Sequence, residues 1–264
     1  GVLGVIAEYD IQTIPAFNLR RVLQALPIED VLESAVATAD AHRNFEFFSL
    51  PGTGIAAALT HDLHDGETTG TVPSDDDEVL EGLQTLRDSF GWWPWLRRRI
   101  AQSALPSGTL EDVSDASLEL LATTRPIKFN EMEYHLPRDK GLAALRKVVA
   151  KMDHRKDAFF PMEVRFVAPD TAWLSPFNNG PCISIAIPAA VDERFDYFFS
   201  DFEPIFREHG GRPHWGKWHS LKRADFDQLY PDFGRFAELR RTLDPDGKFL
   251  NPHLADLFGE PFNA

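Results

Sequence analysis

The run Ile127-Lys128-Phe129-Asn130-Glu131-Met132-Glu133-Tyr134-His135-Leu136-Pro137, followed by Gly141-Leu142-Ala143-Ala144-Leu145-Arg146-Lys147-Val148-Val149-Ala150-Lys151-Met152, decides how the rest of the chain is read. Ile127 to Leu136 alternates with the period of two that a half-buried strand requires. Pro137 then opens a helix, where its missing N–H costs nothing, and Leu142, Leu145, Val148, Val149 and Met152 form one apolar stripe at helical spacing. Phe159 to Ala168 and Cys182 to Ile187 read as two more strands. Asp192 to His209 reads as a Phe-rich helix that Gly210-Gly211 stops before a strand from Arg212 to Trp218.

The same order occurs earlier in the chain. Phe17 to Leu26 reads as a strand, and Ile28 to Arg43 as a helix that gathers Ile28, Val31, Leu32, Ala35 and Ala39 on one face, with Glu29 and Asp30 in its first turn. Phe45 to Leu50 and Ile55 to Leu59 are strands joined by the turn Pro51-Gly52-Thr53-Gly54. Between the halves, Ser74 with Asp77 caps a helix carrying Val79, Leu80, Leu83, Leu86 and Phe90, which continues with interruptions towards Leu121. The acidic run Asp75-Asp76-Asp77-Glu78 is a solvated helix start. Strand, helix, strand, strand, helix, strand is the split βαβ order. The expected fold is therefore α+β: ferredoxin-like repeats in an antiparallel sheet with helices packed on one face.

With 264 residues, 43% of them hydrophobic, the chain has enough apolar material for a substantial core. Its 27 basic and 41 acidic side chains give a net charge of −14, which disfavours nucleic acid as a partner. Cys182 is the only cysteine, so a disulfide framework and a Cys-rich zinc site are excluded and a reducing, cytoplasmic setting is expected. No apolar run reaches the roughly 18 residues of a membrane span. The chain opens on Gly1 and passes straight into an apolar strand pattern, Val5-Ile6-Ala7-Glu8-Tyr9-Asp10-Ile11, as expected of a chain cut inside a domain.

Several clusters bear chemistry. In Met162-Glu163-Val164-Arg165-Phe166, alternation places Met162, Val164 and Phe166 on one face and Glu163 and Arg165 on the other. By spacing alone this is a surface ion pair. The flanking Phe159-Phe160-Pro161 and Trp173-Leu174-Ser175-Pro176-Phe177 also make it a candidate floor for a polar pocket. Gly210-Gly211-Arg212-Pro213-His214-Trp215-Gly216-Lys217-Trp218-His219 is too rich in aromatic and basic groups for an ordinary connection. Alternation would send His214, Gly216 and Trp218 one way and Trp215, Lys217 and His219 the other. The spacing of His214 and His219 suits neither a strand face nor a helix turn, so no metal is expected there. His61-Asp62-Leu63-His64-Asp65 reads as a solvated loop. Trp92-Trp93-Pro94-Trp95-Leu96-Arg97-Arg98-Arg99 reads as an interrupted helix packed on the sheet, with a membrane surface or an acidic partner as the alternative. There is no G-x-S-x-G nucleophile elbow and no Gly-rich phosphate loop.

Four ordered motifs carry a resemblance: Met162-Glu163-Val164-Arg165-Phe166-Val167-Ala168, Trp173-Leu174-Ser175-Pro176, Arg212-Pro213-His214-Trp215-Gly216-Lys217, and Leu243-Asp244-Pro245-Asp246-Gly247-Lys248-Phe249-Leu250-Asn251. Together they resemble the sugar-lactone and alditol oxidases, flavoproteins of the vanillyl-alcohol oxidase fold that include gulonolactone and arabinonolactone oxidases. Phe45-Glu46-Phe47-Phe48 and Phe129-Asn130-Glu131-Met132-Glu133-Tyr134 fit as well, so the match spans the chain. The resemblance implies that residues 1–15 are the last strand of an FAD domain whose remaining roughly 150 residues precede Gly1. It further implies that 16–264 are the substrate-binding domain, with 230–264 returning towards the flavin domain.

By the same resemblance, Glu163, Arg165 and Lys217 are the catalytic residues, and with His214 they bind the substrate, a sugar lactone or polyol. Val5, Ile6 and Asn251 lie at the margin of the FAD, and an FAD-binding domain or chain is the implied partner. One departure is visible: relatives that oxidise alditols carry polar side chains where this chain has Ile185-Ala186-Ile187-Pro188, which implies a preference for a lactone ring or a less hydroxylated alcohol. The competing expectations are a non-catalytic binding or interaction domain derived from the same fold, and a metal-dependent hydrolase using His214 and His219.

Overall fold

In a computed structural model, which describes residues 1–71, 76–122 and 128–262, the chain forms one eight-stranded sheet. The first half contributes β1 (Asn18–Pro27), α1 (Ile28–Ala41), β2 (Asn44–Leu50) and β3 (Ile55–Leu63). α2 (Asp76–Phe90), α3 (Pro94–Ala104), β4 (Gly108–Ala116) and α4 (Ser117–Leu121) follow. The second half repeats the plan with β5 (Phe129–Pro137), α5 (Arg138–Asp153), β6 (Met162–Val167) and β7 (Cys182–Ala190). A π-helical turn (Phe198–Phe202) leads into α6 (Glu203–Glu208), then β8 (Arg212–Pro213), α7 (Arg223–Leu229), α8 (Phe233–Leu243) and α9 (Pro252–Phe258).

The strand order is β4-β1-β3-β2-β6-β7-β5-β8, and every pairing is antiparallel. Each half is a split βαβ unit with its fourth strand beside its first, and the halves meet where β2 pairs β6. The repeat reaches local geometry. Pro27 and Pro137 precede α1 and α5 with the same backbone, φ −55° and −51° with ψ 134° in both. Proline fixes the chain as it leaves a strand and lacks the N–H that a first helical turn leaves unpaired.

Alternation then sorts the side chains. Phe45, Phe47, Ala56, Ala58, Met132, Tyr134, Leu136, Met162, Val164, Ile183, Ile185 and Ile187 are buried in one core with α1, α5 and the aromatic residues Phe198, Phe202 and Phe206. Burying each of the larger side chains is worth about 1.5–3 kcal/mol, which fixes the register and commits the other face to the intervening residues. The helices that build this core share one face of the sheet. Two others close the ends of the opposite face: α4 brings Leu120 onto Leu19 and Val113, and α2 brings Leu83 onto Leu50 and Phe159. What lies between is a polar floor. In the C-terminal region, Phe233, Ala237, Leu250, Ala255, Leu257 and Phe258 join the main core.

Five sequence expectations need correction. Residues 5–14 form no strand, and Val5, Ile6, Tyr9, Ile11 and Ile14 are exposed, because no strand of the described residues pairs with them. The helical stretch expected to run to Leu121 ends at Ala104, and β4 follows it. That polar edge strand pairs with β1 through Arg20–Asp112 and Arg21–Glu111, leaving little apolar periodicity to read. His61 and Asp62 belong to β3 rather than to a loop, and His61 is buried. The helix expected from Asp192 starts at Phe198, after a turn in which the Glu193 N–H donates to the Ala190 carbonyl. Arg97 is buried and donates to the carbonyls of Pro51 and Ala158, whereas Trp92, Trp93 and Trp95 are exposed rather than packed. Ser74 lies outside the described residues, as does Ile127.

Candidate active site

Glu163 and Arg165 point from β6 to the polar face, as alternation requires: Met162 and Val164 are fully buried on the helix side, while Glu163 and Arg165 pair with each other on the far side. Arg165 also meets Glu46, its direct partner across the β2–β6 seam, with Nε 3.2 Å from Oε2. Its guanidinium therefore sits between two carboxylates. Burial opposes its charge, but Glu163 and Glu46 hold the guanidinium above its ordinary range.

Lys217 arrives on the same face by another route. Only Arg212 and Pro213 of the expected strand are extended, and a turn through Trp215-Gly216 breaks the alternation. Trp215 and Lys217, expected on one side, consequently separate. Trp215 packs among Phe226, Tyr230 and Phe233 and donates its indole N–H to the Leu174 carbonyl at 2.8 Å. Lys217 contacts Glu131 and Glu133, alternate residues of β5. The second cation, like the first, sits between two carboxylates.

Residues that the sequence reading did not single out complete the floor. Ser184 of β7 lies opposite Arg165 in the register and donates its hydroxyl to Glu133. His135, also opposite Ser184, is buried beneath Phe177, with ring centroids 4.7 Å apart, and faces His214 at 6.0 Å. The signal for Glu131, Glu133 and His135 lay in the alternation of β5, whose other positions, Met132, Tyr134 and Leu136, fill the core. In Ile185-Ala186-Ile187-Pro188, the two isoleucines are core residues, so only Ala186 and Pro188 belong to the polar face, and Ser184 adds a hydroxyl there.

Protonation follows from this crowding. Burial favours the neutral form of Glu133, yet hydrogen bonds from Lys217 and Ser184 and the lysine charge overcome it and hold the carboxyl down at about 2. For Glu131, burial prevails over Lys217 and raises the carboxyl above its ordinary range, helped by Glu133 and Glu163. Burial opposes the Lys217 charge as well, but the two glutamates hold the ammonium above its ordinary range. Burial, with Lys217, Arg165 and His214 nearby, pushes His135 down to about 4 against the pull of Glu133, so the ring is neutral at pH 7.

The other expected site residues lie at the rim of the floor or away from it. His214 is exposed, and its Nδ1 accepts from the Gly216 N–H at 3.1 Å. His219 packs on Phe226 and His253, and among the described residues no group of three His, Cys, Asp or Glu is arranged to hold a metal. Val5 and Ile6 are exposed. Asn251 caps α9, its side chain accepting from the Leu254 N–H. Asp244 does similar work upstream: its carboxylate accepts from the Lys248 and Phe249 N–H groups, which explains the Asp-Pro-Asp-Gly-Lys-Phe motif as a folded turn.

Known proteins share this architecture. A solvent-stable cholesterol oxidase superimposes with a TM-score of 0.62 over 93% of this chain and 60% of its own, at 16% identity, which is a likeness of fold. L-gulono-1,4-lactone dehydrogenase of Mycobacterium tuberculosis is 34% identical over 98% of this chain and 62% of its own length. L-gulonolactone oxidase of Mus musculus is 29% identical over 98% and 61%, and alditol oxidase of a Streptomyces species is 34% identical over 48% and 31%. The chain thus spans about three-fifths of the length of the relatives it matches from end to end. Among the described residues no helix is long and apolar enough to cross a membrane. Residues 9–257 match the D-arabinono-1,4-lactone oxidase family, and the chain belongs to it.

Proposed function

We propose that this chain is the substrate-facing part of an FAD-dependent oxidoreductase that oxidises a hydroxyl of a sugar-1,4-lactone or an alditol. The observation that carries the reading is the polar floor itself: Arg165 and Lys217, each between two carboxylates, flank Ser184 on one sheet face. Such a floor suits a neutral, hydroxyl-bearing ligand, because it offers donors and acceptors in alternation and no uncompensated cation to trap an anion. The names of the relatives agree with this chemistry.

The floor fits the reactive side of a flavin site, where polar groups must meet the substrate. The exposed apolar side chains of Val5 and Ile6 suit contact with a second body, and on this reading residues 1–15 belong to the flavin domain and 16–264 form the substrate domain. When bound, the flavin supplies the hydride acceptor. Glu163 orients the substrate hydroxyl or accepts its proton, and Arg165 and Lys217 donate hydrogen bonds to the oxygen as negative charge develops on it. His214, at the exposed rim, contacts the remainder of the sugar.

The test is anaerobic reduction of the flavin in the full-length protein by L-gulono-1,4-lactone, D-arabinono-1,4-lactone and xylitol in turn. Bleaching of the flavin absorbance by at least one of them is expected. A flavin that none of them reduces, in a protein that still binds them, would identify a binding domain and defeat the proposal.

A further inference from the structure

Glu131 and Glu133 hold the turn that carries Lys217 twice over. Their backbone carbonyls accept from the N–H groups of Trp218 and His214, at 3.0 and 2.9 Å, so the chain on either side of the lysine is tied to β5. Their side chains then take the ammonium of Lys217 from the same two positions. Glu133 is fixed in turn by the Ser184 hydroxyl from β7. The two carboxylates are 11% and 5% exposed and Lys217 is 23% exposed, so water does not compete freely for these bonds. An ammonium has three N–H donors on a rotating head. Two are engaged here, which stops the rotation and fixes the direction of the third.

We infer that Glu131 and Glu133 are positioning residues, a carboxylate clamp that turns a flexible lysine into a single aimed hydrogen-bond donor over the polar floor. The inference rests on the proposed role of Lys217 as a donor to the substrate oxygen. The two members are unequal. Glu133 carries the Ser184 bond and remains ionised, whereas Glu131 is the one that takes up a proton more readily. Glu133 is accordingly the stronger holder. A clamp is needed here because Lys217 lies just beyond a two-residue strand, in a turn that lacks a ladder of its own. A lysine on four rotatable bonds would otherwise sample geometries too loose for a near-attack arrangement.

The experiment compares Glu133→Gln, Glu131→Gln and Lys217→Met in the full-length protein, reading two quantities. One is the titration of the Lys217 side chain by NMR of isotope-labelled lysine, with Lys217→Met identifying the signal. The other is the limiting rate of flavin reduction as a function of pH. In the native protein Lys217 is expected to titrate above ordinary lysines. Glu133→Gln is expected to lower that midpoint by more than Glu131→Gln does, to move the alkaline limb of the rate profile down with it, and to slow reduction about tenfold to a hundredfold. An unmoved Lys217 titration in both glutamine variants would overturn the clamp, whatever the rates. A normal reduction rate in Lys217→Met would instead overturn the role of the lysine in the reaction, while the NMR result would still decide whether the clamp exists. Should Glu133→Gln fail to fold, Glu131→Gln and the milder Glu133→Asp give the same two readouts.

Discussion

Glu46 and Arg165 are direct partners across the one strand pairing that joins the two halves of the sheet, and their side chains meet on its polar face. The neighbouring pair in the same register, Phe47 and Val164, is buried on the helix face. One seam thus has an apolar side that holds the halves together and a charged side that forms part of the candidate site. The two sides should respond differently to mutation. Arg165 is 39% exposed and Glu46 26%, so solvent screening keeps the ion pair small, and Glu46→Gln is expected to cost under about 1 kcal/mol of stability. Phe47→Ala, which empties a fully buried site, should cost about 3–5 kcal/mol. Chemical denaturation of both variants checks this. Equal losses would mean that the ion pair secures the seam as much as the core does.

The 264-residue chain alone is expected to elute from gel filtration without flavin absorbance. The only residues that the family resemblance placed at the cofactor margin are Val5, Ile6 and Asn251, two exposed apolar side chains and a helix cap. None of these supplies the backbone donors that a pyrophosphate requires. A yellow chain with one flavin per polypeptide would show that the polar floor binds the cofactor by itself.

The element order was readable because each half spends its apolar residues on one face. Met162, Val164 and Phe166 could be assigned inward from a five-residue segment, and Glu163 and Arg165 outward by exclusion. Lys217 was found by motif rather than by period, since a turn and not a strand delivers it, and the same turn separated Trp215 from it. β4 escaped because its polar residues pair with Arg20 and Arg21 along the sheet edge and Val113 is its buried hydrophobic residue, which leaves too little hydrophobic signature to read. Glu131 and Glu133 escaped for a different reason. A carboxylate on the polar face of a strand looks like any solvated residue until the lysine it binds, more than 80 positions away in the chain, is placed beside it.

His135 should make the protein sensitive to mild acid. Its ring is buried, with neither nitrogen hydrogen-bonded among the described residues, and its folded value lies near 4 against an ordinary 6.5. Between those values the unfolded chain binds a proton that the folded chain refuses. The neutral ring's contribution is thus present in full above about pH 6.5 and is lost as the pH falls towards 4. His135→Phe, which keeps the packing against Phe177 and removes the two buried nitrogens, should leave stability at pH 7 unchanged or higher and flatten the decline between pH 6.5 and 4. Glu133 acts in a lower window, since its depressed carboxyl loses its contribution from about pH 4.5 down to 2. Melting temperatures at half-unit steps of pH separate the two. An unchanged pH slope in His135→Phe would show that the ring is solvated or already charged.

On the proposed function, Arg165→Ala and Lys217→Ala in the flavin-loaded protein should each slow flavin reduction far more than they weaken substrate binding. The bound alcohol is neutral, and negative charge gathers on its oxygen only as the proton and hydride leave, so a donor aimed there acts mainly in the transition state. Removing one such preorganised donor costs about 3 kcal/mol, or roughly a hundredfold in rate. Each cation is already matched by carboxylates, Arg165 by Glu46 and Glu163 and Lys217 by Glu131 and Glu133. What each variant removes is therefore a directed N–H more than a net positive field, and Arg165→Lys should recover little, because an ammonium cannot reach Glu46, Glu163 and the substrate as a planar fork does. Glu163→Gln should impair binding and rate together, since a carboxylate orients hydroxyls in the ground state as well. Stopped-flow reduction over a range of substrate concentrations yields the limiting rate and the dissociation constant separately. If Arg165→Ala and Lys217→Ala raised only the dissociation constant, both side chains would be substrate-binding groups, and the oxygen's developing charge would have to be stabilised from elsewhere.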